Sequence, residues 1–309
     1  MELIFILLIA LVLDLAFGEP SNALHPVAWL GKLISLEMRL APAKGKSAQL
    51  AFGIIGVVIT VGTVTTAAYF LLHYLREVNL IAYILLGGIL LKFTFSLRGL
   101  RQAANTIRGL LAQEKLAEAR FNLRALVSRD TTSLGESQIV AATVESIAEN
   151  SCDSFVAPLF YFLIFGIPGA MAYRIINTFD AMIGYHGRWE YLGKFAARLD
   201  DVANFIPARI TAFVLILASW LSRENARQAW RIMLRDHCKT ESPNAGWTMS
   251  AAAGALEVRL EKVGHYQLGD NHNALTVNTI DASLQILMLT ALIWSVISIL
   301  VGVVYFVTT

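Results

Sequence analysis

Long apolar runs alternate along the chain with shorter polar stretches. Four runs predict membrane-spanning helices: residues 3–17, 50–72, 80–95 and 282–307. A helix that crosses the hydrocarbon core needs about 20 mostly apolar residues. The second and fourth runs supply this length, whereas the first and third need tilting or interfacial flanks. The pattern therefore predicts an all-α integral membrane protein.

Two further apolar segments are ambiguous. Segment 155–173 is interrupted by prolines and glycines, and segment 206–221 is short and contains Pro207 and Arg209. Each could cross the membrane, re-enter it or lie at its interface. The pattern therefore predicts about four to six transmembrane helices.

The distribution of Lys and Arg constrains the two ambiguous segments as a pair. Loops 18–49, 96–154 and 222–281 hold four, seven and seven of these residues, and short cytoplasmic loops collect them. All three loops are then cytoplasmic. The two ambiguous segments must therefore either both cross the membrane or both remain on its cytoplasmic side. We expect that neither crosses, which joins the polar regions 96–154 and 222–281 into a helical cytoplasmic catalytic region within a single domain, 1–309.

Composition supports a membrane protein and excludes a nucleic-acid binder. Of the 309 residues, 56% are hydrophobic and 16% are charged, whereas soluble domains carry about 25% charged residues. The 25 Lys and Arg against 23 Asp and Glu leave no basic excess for neutralising phosphates of a nucleic acid. The two cysteines, Cys152 and Cys238, have no metal-finger spacing.

The acids concentrate in the stretch 129–201. If 137–154 is helical, Glu145, Glu149 and Asp153 fall within an arc of about 80°. Carboxylates that share a face repel one another, and a hard divalent cation such as Mg²⁺ relieves that repulsion. A solvated helix face with arginine neighbours is the alternative.

Two more helical segments each place an arginine, an amide and an acid on one face. They are Arg174, Asn177 and Asp180 in the first, and Arg198, Asp201 and Asn204, with Asp200 alongside, in the second. A guanidinium suits phosphate or carboxylate, and a carboxylate suits Mg²⁺, so such faces favour an anionic substrate bridged by metal. Structural ion pairs are the alternative for any one helix.

Two weaker candidates lie in loops. His25 stands in a turn-rich stretch after the first span, where a lone histidine is more often hydrogen-bonded within the structure than catalytic. Asn244 belongs to the Ser-Pro-Asn-Ala-Gly stretch 242–246, which leads into the small-residue run 250–255. Such a run permits close approach of a ligand or tight helix packing, and packing is the favoured interpretation.

Six ordered blocks of sequence resemble the CobD/CbiB family of cobalamin biosynthesis, the adenosylcobinamide-phosphate synthases. The blocks are DLAFGEPSNALHPVAWLG from Asp14, Arg129-Asp130-Thr131, VESIAENSCDSFVAPLFY from Val144, YRIINTFDAMIGY from Tyr173, ARLDDVANFIPAR from Ala197, and SPNAGWTMSAAAGAL from Ser242. Ser154 departs from the glycine expected at its position. The order and joint occurrence of the blocks make the resemblance specific.

The resemblance implies a multi-pass enzyme of the cell (inner, cytoplasmic) membrane with its active site facing the cytoplasm. It implies ATP-dependent amide formation between adenosylcobyric acid and (R)-1-aminopropan-2-ol phosphate, giving adenosylcobinamide phosphate. Mg²⁺ is the implied cofactor, ATP the co-substrate and an adenosylated corrinoid the substrate. The implied partners are these small molecules, membrane lipid and other membrane enzymes of cobalamin assembly.

Together, the resemblance and the chemistry lead to a hypothesis for each polar residue. The metal ligands would be Glu145, Glu149, Asp153, Asp200 and Asp201. The catalytic groups would be Asp180, Glu149 and Asp201. The substrate- and phosphate-binding residues would be Arg129, Arg174, Arg198, Asn150, Asn177, Asn204, His25 and Asn244.

Two other classes of function stay open on the residues alone. One is a membrane-embedded Mg²⁺-dependent transferase that acts on an isoprenoid or lipid phosphate, since acid motifs on helices also suit diphosphate chemistry. The other is a non-enzymatic sensor or transporter on the same fold, with the polar helix faces lining a permeation path.

Overall fold

A computed structural model of the chain describes residues 1–21, 23, 25–184 and 189–308. Most of them are helical, as the apolar pattern predicts. The helices are α1 Glu2–Phe17, α2 Pro26–Leu40, α3 Lys46–Val78, α4 Leu80–Lys92, α5 Leu97–Ala112, α6 Leu116–Leu123, α7 Glu136–Ser151, α8 Ala157–Ile183, α9 Glu190–Leu221, α10 Ala226–Asp236, α11 Ala245–Ala255 and α12 Val277–Thr308. A π-helical turn, Cys152–Val156, joins α7 to α8, and a 3₁₀ turn, His237–Lys239, follows α10.

Five helical segments are long and apolar enough to cross a membrane: Lys46–Val78, Leu80–Ala112, Glu136–Ile183, Glu190–Leu221 and Val277–Thr308. They contain three of the four predicted spans and both ambiguous segments. The prediction of an all-α membrane protein with four to six spans is confirmed.

The first predicted span and the two ambiguous segments differ from expectation in detail. Helix α1 has only 16 residues, fewer than the about 20 needed to cross, and it is not among the five. Both 155–173 and 206–221 lie in segments that are long and apolar enough to cross. Length and composition thus favour the alternative in which both cross, against the expectation that neither does.

The chain divides into two compact units. The first comprises Met1–Ser96, Ala157–Asn204 and Ser298–Thr309, and the second comprises Leu97–Val156 and Phe205–Ile297. Each unit therefore collects segments that are far apart in the sequence.

The first unit is built on close helix packing. A Cβ atom at Gly88 of α4 would lie 2.5 Å from Cγ2 of Ile9 in α1, so only glycine permits this approach. Helices α2, α3, α8 and α9 also share a hydrophobic core, in which Ile34, Val57 and Phe179 are buried. These contacts hold the polar faces of α8 and α9 in place.

Helices α8 and α9 each contain a local irregularity. Gly166 in α8 has φ 67° and ψ −161° and precedes Pro168, so the glycines and prolines noted in segment 155–173 interrupt the regular helix there. In α9, Pro207 has no N–H for the carbonyl of Ala203. The hydroxyl of Tyr161 donates a 2.9 Å hydrogen bond to that carbonyl instead, so α8 satisfies the acceptor that proline leaves open.

In the second unit, α10 packs closely on α11. A Cβ atom at Gly254 would lie 2.6 Å from the carbonyl oxygen of Gln228 and 2.8 Å from Cα of Ala229. Residues 250–255 are all buried, which confirms packing as the role of the small-residue run.

Replacing Gly254 with alanine is expected to lower the free energy of unfolding by about 1–3 kcal/mol, since the backbone of α10 must move away. The matched control is Gly109→Ala in α5, where an added Cβ meets nothing within 4 Å. That change is expected to leave stability equal or higher by up to about 1 kcal/mol. Thermal denaturation of both variants in detergent checks the difference, and equal midpoints would contradict it.

A short hairpin was not predicted from the sequence. Strands β1 Leu260–Lys262 and β2 Tyr266–Leu268 pair antiparallel, with Leu260 opposite Leu268. Three residues are too few for a period-two pattern to be recognised. Buried Asp236, at the end of α10, accepts a 2.8 Å hydrogen bond from the N–H of Gly269, which anchors the hairpin and places Tyr266 next to α7.

Candidate functional site

The polar faces of α8 and α9 meet in the first unit around Asp200. The Asp200 side chain is buried, and each of its oxygens accepts an amide hydrogen. Asn177 donates to Oδ1 at 3.3 Å and Asn204 donates to Oδ2 at 3.0 Å. The hydroxyl of buried Tyr173 donates to Oδ1 of Asn204 at 2.8 Å. Asp200 is thus a carboxylate satisfied by two amides.

Arg174 joins this network through Asn177. Its Nη1 atom donates to Oδ1 of Asn177 at 3.4 Å, so Arg174, Asn177 and Asp200 form a continuous chain across α8 and α9. The structure brings together Arg174, Asn177, Asp200 and Asn204, four of the predicted site residues. It adds Tyr173, whose tyrosine ring carries no periodic signal in the sequence.

Arg198, Asp201 and Asn204, which were predicted to share one face of α9, make contacts in two separate places. Arg198 has a side chain that is 75% exposed and lies 3.5 Å from the carboxylate of Asp201. Asn204 is buried and bonds Asp200, its neighbour one helical turn earlier. The structural ion pair, left open as the alternative, is therefore what Arg198 and Asp201 form.

Asp180 lies further along α8. Its backbone carbonyl accepts from the N–H of Gly184 at 2.7 Å, and its carboxylate lies against Gly184, where a Cβ would meet Oδ1 at 2.0 Å. Asp180 therefore lies at the C-terminal end of the helix. Its catalytic role stays a prediction.

An apolar cavity of about 290 Å³ lies beside Arg174. Its walls come from α2, α3, α4 and α8, and Arg174 is the one charged residue among those that line it in the described part of the chain. The volume is at the lower end of the range for small-molecule sites. A cavity with a single guanidinium suits a small ligand that carries an anionic group.

A second buried charge network lies at the ends of α1 and α4. The ammonium of Lys92 lies 3.1 Å from Asp14 and 2.7 Å from Glu19, and Lys92 and Asp14 are almost fully buried. In the sequence, Asp14 stands out only as the first residue of the first motif block, and nothing marks Lys92. A lysine whose carboxylate partners lie far away in the sequence gives no local signal.

His25 has a structural role in the same network. Its Nδ1 atom accepts from the N–H of Val27 at 3.1 Å and so caps α2, while Nε2 pairs with Glu19. Both ring nitrogens are thereby used within the protein, which favours the structural interpretation of His25 over a substrate contact.

The pKa of Glu19 predicts a pH dependence of stability. Burial raises this pKa, but hydrogen bonds from His25, Lys92 and Ser96 outweigh burial and lower it to about 2 from the ordinary 4.5. The folded state then favours the ionised form, so this contribution is present above pH 4.5 and is lost as the pH falls toward 2.

The corresponding test is Glu19→Gln, measured by thermal denaturation between pH 7 and pH 3. We expect the wild type to lose more stability than the variant as the pH falls, since the variant has no carboxylate to protonate. Glu261→Gln, a partly exposed position in the hairpin, is the control. Parallel pH profiles for wild type and Glu19→Gln would contradict the assignment.

In the second unit, Glu145 of α7 forms a buried ion pair with Arg129. Oε2 of Glu145 accepts from Nη2 of Arg129 at 2.8 Å, and the Glu145 side chain is 6% exposed. The Glu145 carboxylate also takes part in a side-chain hydrogen bond with Tyr266. Among the described residues, Nε of Arg129 is buried without a hydrogen-bond partner, so the pair offers one donor to a further ligand.

Tyr266 of the hairpin lies beside this pair. Burial raises the pKa of Tyr266 above its ordinary value, and the negative charges of Glu145 and Glu149 raise it further. Tyr266 is therefore a neutral phenol that can donate a hydrogen bond to a carboxylate. Tyr266 has no signal in the sequence, because nothing local marks the hairpin.

The three acids predicted on one face of α7 do not assemble into a metal cage. Glu145 is engaged by Arg129, and the π turn begins at Cys152, so Asp153 leaves the α-helical register of Glu145 and Glu149. Asn150 donates to the carbonyl of Ser146 at 3.0 Å. In the described residues no group of three His, Cys, Asp or Glu side chains is placed to hold a metal ion.

Asn244 is buried at the start of α11. Its Oδ1 atom accepts from Nη1 of Arg209 in α9 at 3.2 Å. Arg209 entered the sequence analysis only as a charge within an ambiguous segment, and its pairing with Asn244 across 35 positions had no sequence signal.

Comparison with known proteins identifies the family to which these residues belong. The sequence profile described as CobD/Cbib protein matches residues 7–295. The chain belongs to the CobD/CbiB family. The resemblance drawn from the six sequence blocks is thereby confirmed, and the family acts in cobalamin biosynthesis.

Relatives in the CobD/CbiB family cover nearly the whole chain. Cobalamin biosynthesis protein CobD of Dehalococcoides mccartyi is 55% identical over 306 residues, which is 99% of each chain. The probable cobalamin biosynthesis protein CobD of Methanothermobacter thermautotrophicus is 44% identical over 87% of this chain and 88% of its own. That of Thermoplasma volcanium is 37% identical over 96% of this chain and 97% of its own. No solved structure matches the chain.

Proposed function

We propose that this CobD/CbiB protein joins adenosylcobyric acid to (R)-1-aminopropan-2-ol phosphate in an ATP-dependent reaction that yields adenosylcobinamide phosphate. The observation that carries the proposal is the hydrogen-bonded chain from Arg174 through Asn177 to buried Asp200, next to a small apolar cavity. A cavity with a guanidinium at its wall suits a small phosphorylated amine. Membership of a family that acts in cobalamin biosynthesis supports the proposal.

The proposed chemistry has two steps. The γ-phosphoryl group of ATP is first transferred to a carboxylate oxygen of the corrinoid, giving an acyl phosphate and ADP. The amine nitrogen then attacks the carbonyl carbon, a carbon–nitrogen bond forms, the carbon–oxygen bond breaks and phosphate leaves. The proton released by the amine goes to a base, the role proposed for Asp180.

The polar residues support specific roles in this reaction. Arg174 and Asn177 would bind the phosphate of the amino alcohol, and Asp200 and Asn204 would hold Asn177 in position. Arg129 would neutralise phosphate charge in the second unit. Arginines that face phosphates stabilise the charge that develops during phosphoryl transfer.

The residues fit Mg²⁺ held by few protein ligands. Glu145 is a buried carboxylate, and Glu149 follows one helical turn later on the same face of α7. Mg²⁺ is usually bound by one or two carboxylates together with substrate phosphates. Glu145 and Glu149 would therefore hold it, and the bound ion would neutralise charge on the transferring phosphoryl group.

The remaining metal ligands of the original hypothesis have weaker support. Both oxygens of Asp200 already accept amide hydrogens, and Asp201 faces Arg198. Asp153 lies in the π turn. We therefore propose a site with two carboxylates in place of one with five. We further propose that it opens to the cytoplasm, where ATP is available.

Product formation by the purified protein tests the proposal. The protein in detergent is incubated with adenosylcobyric acid, ATP, Mg²⁺ and (R)-1-aminopropan-2-ol phosphate, and product mass and ADP are measured. We expect adenosylcobinamide phosphate and one ADP per product, and none when ATP is omitted. Absence of this product, or product only from a polyprenyl diphosphate, would overturn the proposal.

A further inference from the structure

The guanidinium of Arg209 in α9 lies close to two aromatic rings. Its guanidinium carbon lies 3.6 Å from the ring centroid of Phe205, one turn earlier in the same helix, and 4.7 Å from that of Trp247 in α11. The ring of His237 packs on Trp247, with centroids 4.2 Å apart. Stacking of this kind orients a guanidinium plane and leaves its edge available for hydrogen bonds.

Polar contacts anchor one side of the same guanidinium. Nη1 of Arg209 donates to Oδ1 of buried Asn244 at 3.2 Å and also to the backbone carbonyl of Phe205. The indole Nε1 of Trp247 is buried and has no hydrogen-bond partner among the described residues. Trp247, which lies close to Arg209, therefore brings a buried N–H donor that has no acceptor among the described residues.

Arg209 has no carboxylate partner in the described part of the chain. Its contacts there are with two aromatic rings, an amide oxygen and a backbone carbonyl. By contrast, Arg108, Arg129 and Arg235 each pair with an acid. Because α9 is long and apolar enough to cross a membrane, an uncompensated cation there is costly and marks a functional site.

We propose that Arg209 binds a phosphate group of a phosphorylated small-molecule substrate, with Asn244 and Trp247 as positioning residues. The inference rests on the proposed function, which supplies two such molecules, ATP and the amino alcohol phosphate. A guanidinium edge matches two phosphate oxygens in a bidentate contact, and the buried indole N–H of Trp247 can donate to an anion as well. A bound phosphate would supply the missing negative charge.

The first experiment measures binding apart from turnover. Thermal stabilisation of the detergent-solubilised protein is recorded with ATP and with the amino alcohol phosphate, and with adenosine and 1-aminopropan-2-ol as their phosphate-free counterparts. In Arg209→Gln, the stabilisation by one phosphorylated ligand should disappear, while the response to the phosphate-free ligands should stay. Which of the two responses is lost identifies the source of the phosphate.

The second experiment measures the kinetics of amide formation. Arg209→Gln should raise the KM for the same phosphorylated substrate by about 10- to 100-fold, the range for losing a hydrogen bond to a charged group. Arg209→Lys keeps the positive charge but loses the two parallel N–H groups of the guanidinium, so it should raise that KM by a smaller factor. Trp247→Leu should raise that KM several-fold with kcat little changed. Trp247→Phe should restore it in part, because a ring again supports Arg209 while the indole N–H is missing.

Arg227→Gln is the matched control, since Arg227 is exposed on α10, and it should behave as the wild type. Unchanged binding and KM for both phosphorylated ligands in Arg209→Gln would overturn the inference, as would a rise confined to the corrinoid. If Arg209→Gln fails to fold, unchanged KM values in both Arg209→Lys and Trp247→Leu would overturn it. If the wild-type protein binds one of these ligands in an Arg209-dependent way but forms no amide, the proposed function is refuted and the phosphate site at Arg209 still stands.

Discussion

Replacing Asp200 with asparagine is expected to lower the rate of amide formation by about 100-fold, the equivalent of about 1.5–3 kcal/mol for hydrogen bonds to a charged group. The native carboxylate accepts from both Asn177 and Asn204, whereas an asparagine side chain has only one acceptor atom. One donor must then lose its partner. Asn177 is the residue that accepts from Arg174, so the KM for the amino alcohol phosphate should rise as well.

Asp281→Asn is the control for this measurement. Asp281 forms an ion pair with Arg108 in which both side chains are about 40% exposed, and it lies outside the proposed site. Its loss should change the rate by less than about twofold, since exposed pairs contribute little. A folded Asp200→Asn variant with wild-type rate and KM would remove Asp200 from the site.

Replacing Lys92 with methionine is expected to lower the free energy of unfolding by about 3–5 kcal/mol, the usual cost of leaving a buried charge without its partner. Lys92 lies between Asp14 and Glu19, and the Asp14 side chain is only 1% exposed. Methionine fills a volume similar to that of lysine. The decrease in the free energy of unfolding is therefore caused by the missing charge and not by a cavity. Denaturation in detergent, followed by circular dichroism, measures the change.

Two further variants separate charge from packing at this position. The double variant Lys92→Met, Asp14→Leu removes the buried acid together with its partner and should recover part of the lost stability. Arg76→Ala breaks the more exposed pair with Glu2 and should cost at most about 1 kcal/mol. An unfolding midpoint for Lys92→Met equal to that of Arg76→Ala would contradict a stabilising role of the network.

The candidate site could be predicted where its residues share a helix. Arg174 and Asn177 lie one turn apart on α8, and helical spacing alone places them on one face. The same rule failed for Asp153, because the π turn at Cys152 changes the register. It also grouped Asn204 with Arg198, although Asn204 turns inward to Asp200. Helical spacing gives the face on which a residue lies in a regular helix. It does not give the residue of a neighbouring segment that the side chain contacts.

Contacts between distant segments had no such signal. Lys92 meets Glu19 across 73 positions, and Arg209 meets Asn244 across 35. Tyr266 comes to Glu145 on a hairpin too short for its alternation to be recognised. Each depends on which helices pack together, which local periodicity does not encode.

The sequence by itself determined that this chain is an all-α membrane protein of the CobD/CbiB family, because apolar length and ordered motifs are local properties of a chain. It also identified most of the polar residues around Asp200. Only the tertiary structure decided how those residues pair, which carboxylates are already engaged, and that Arg209 carries a charge no described acid balances. Pairing depends on long-range packing, where burial makes every unmatched charge costly and so determines which side chains must meet.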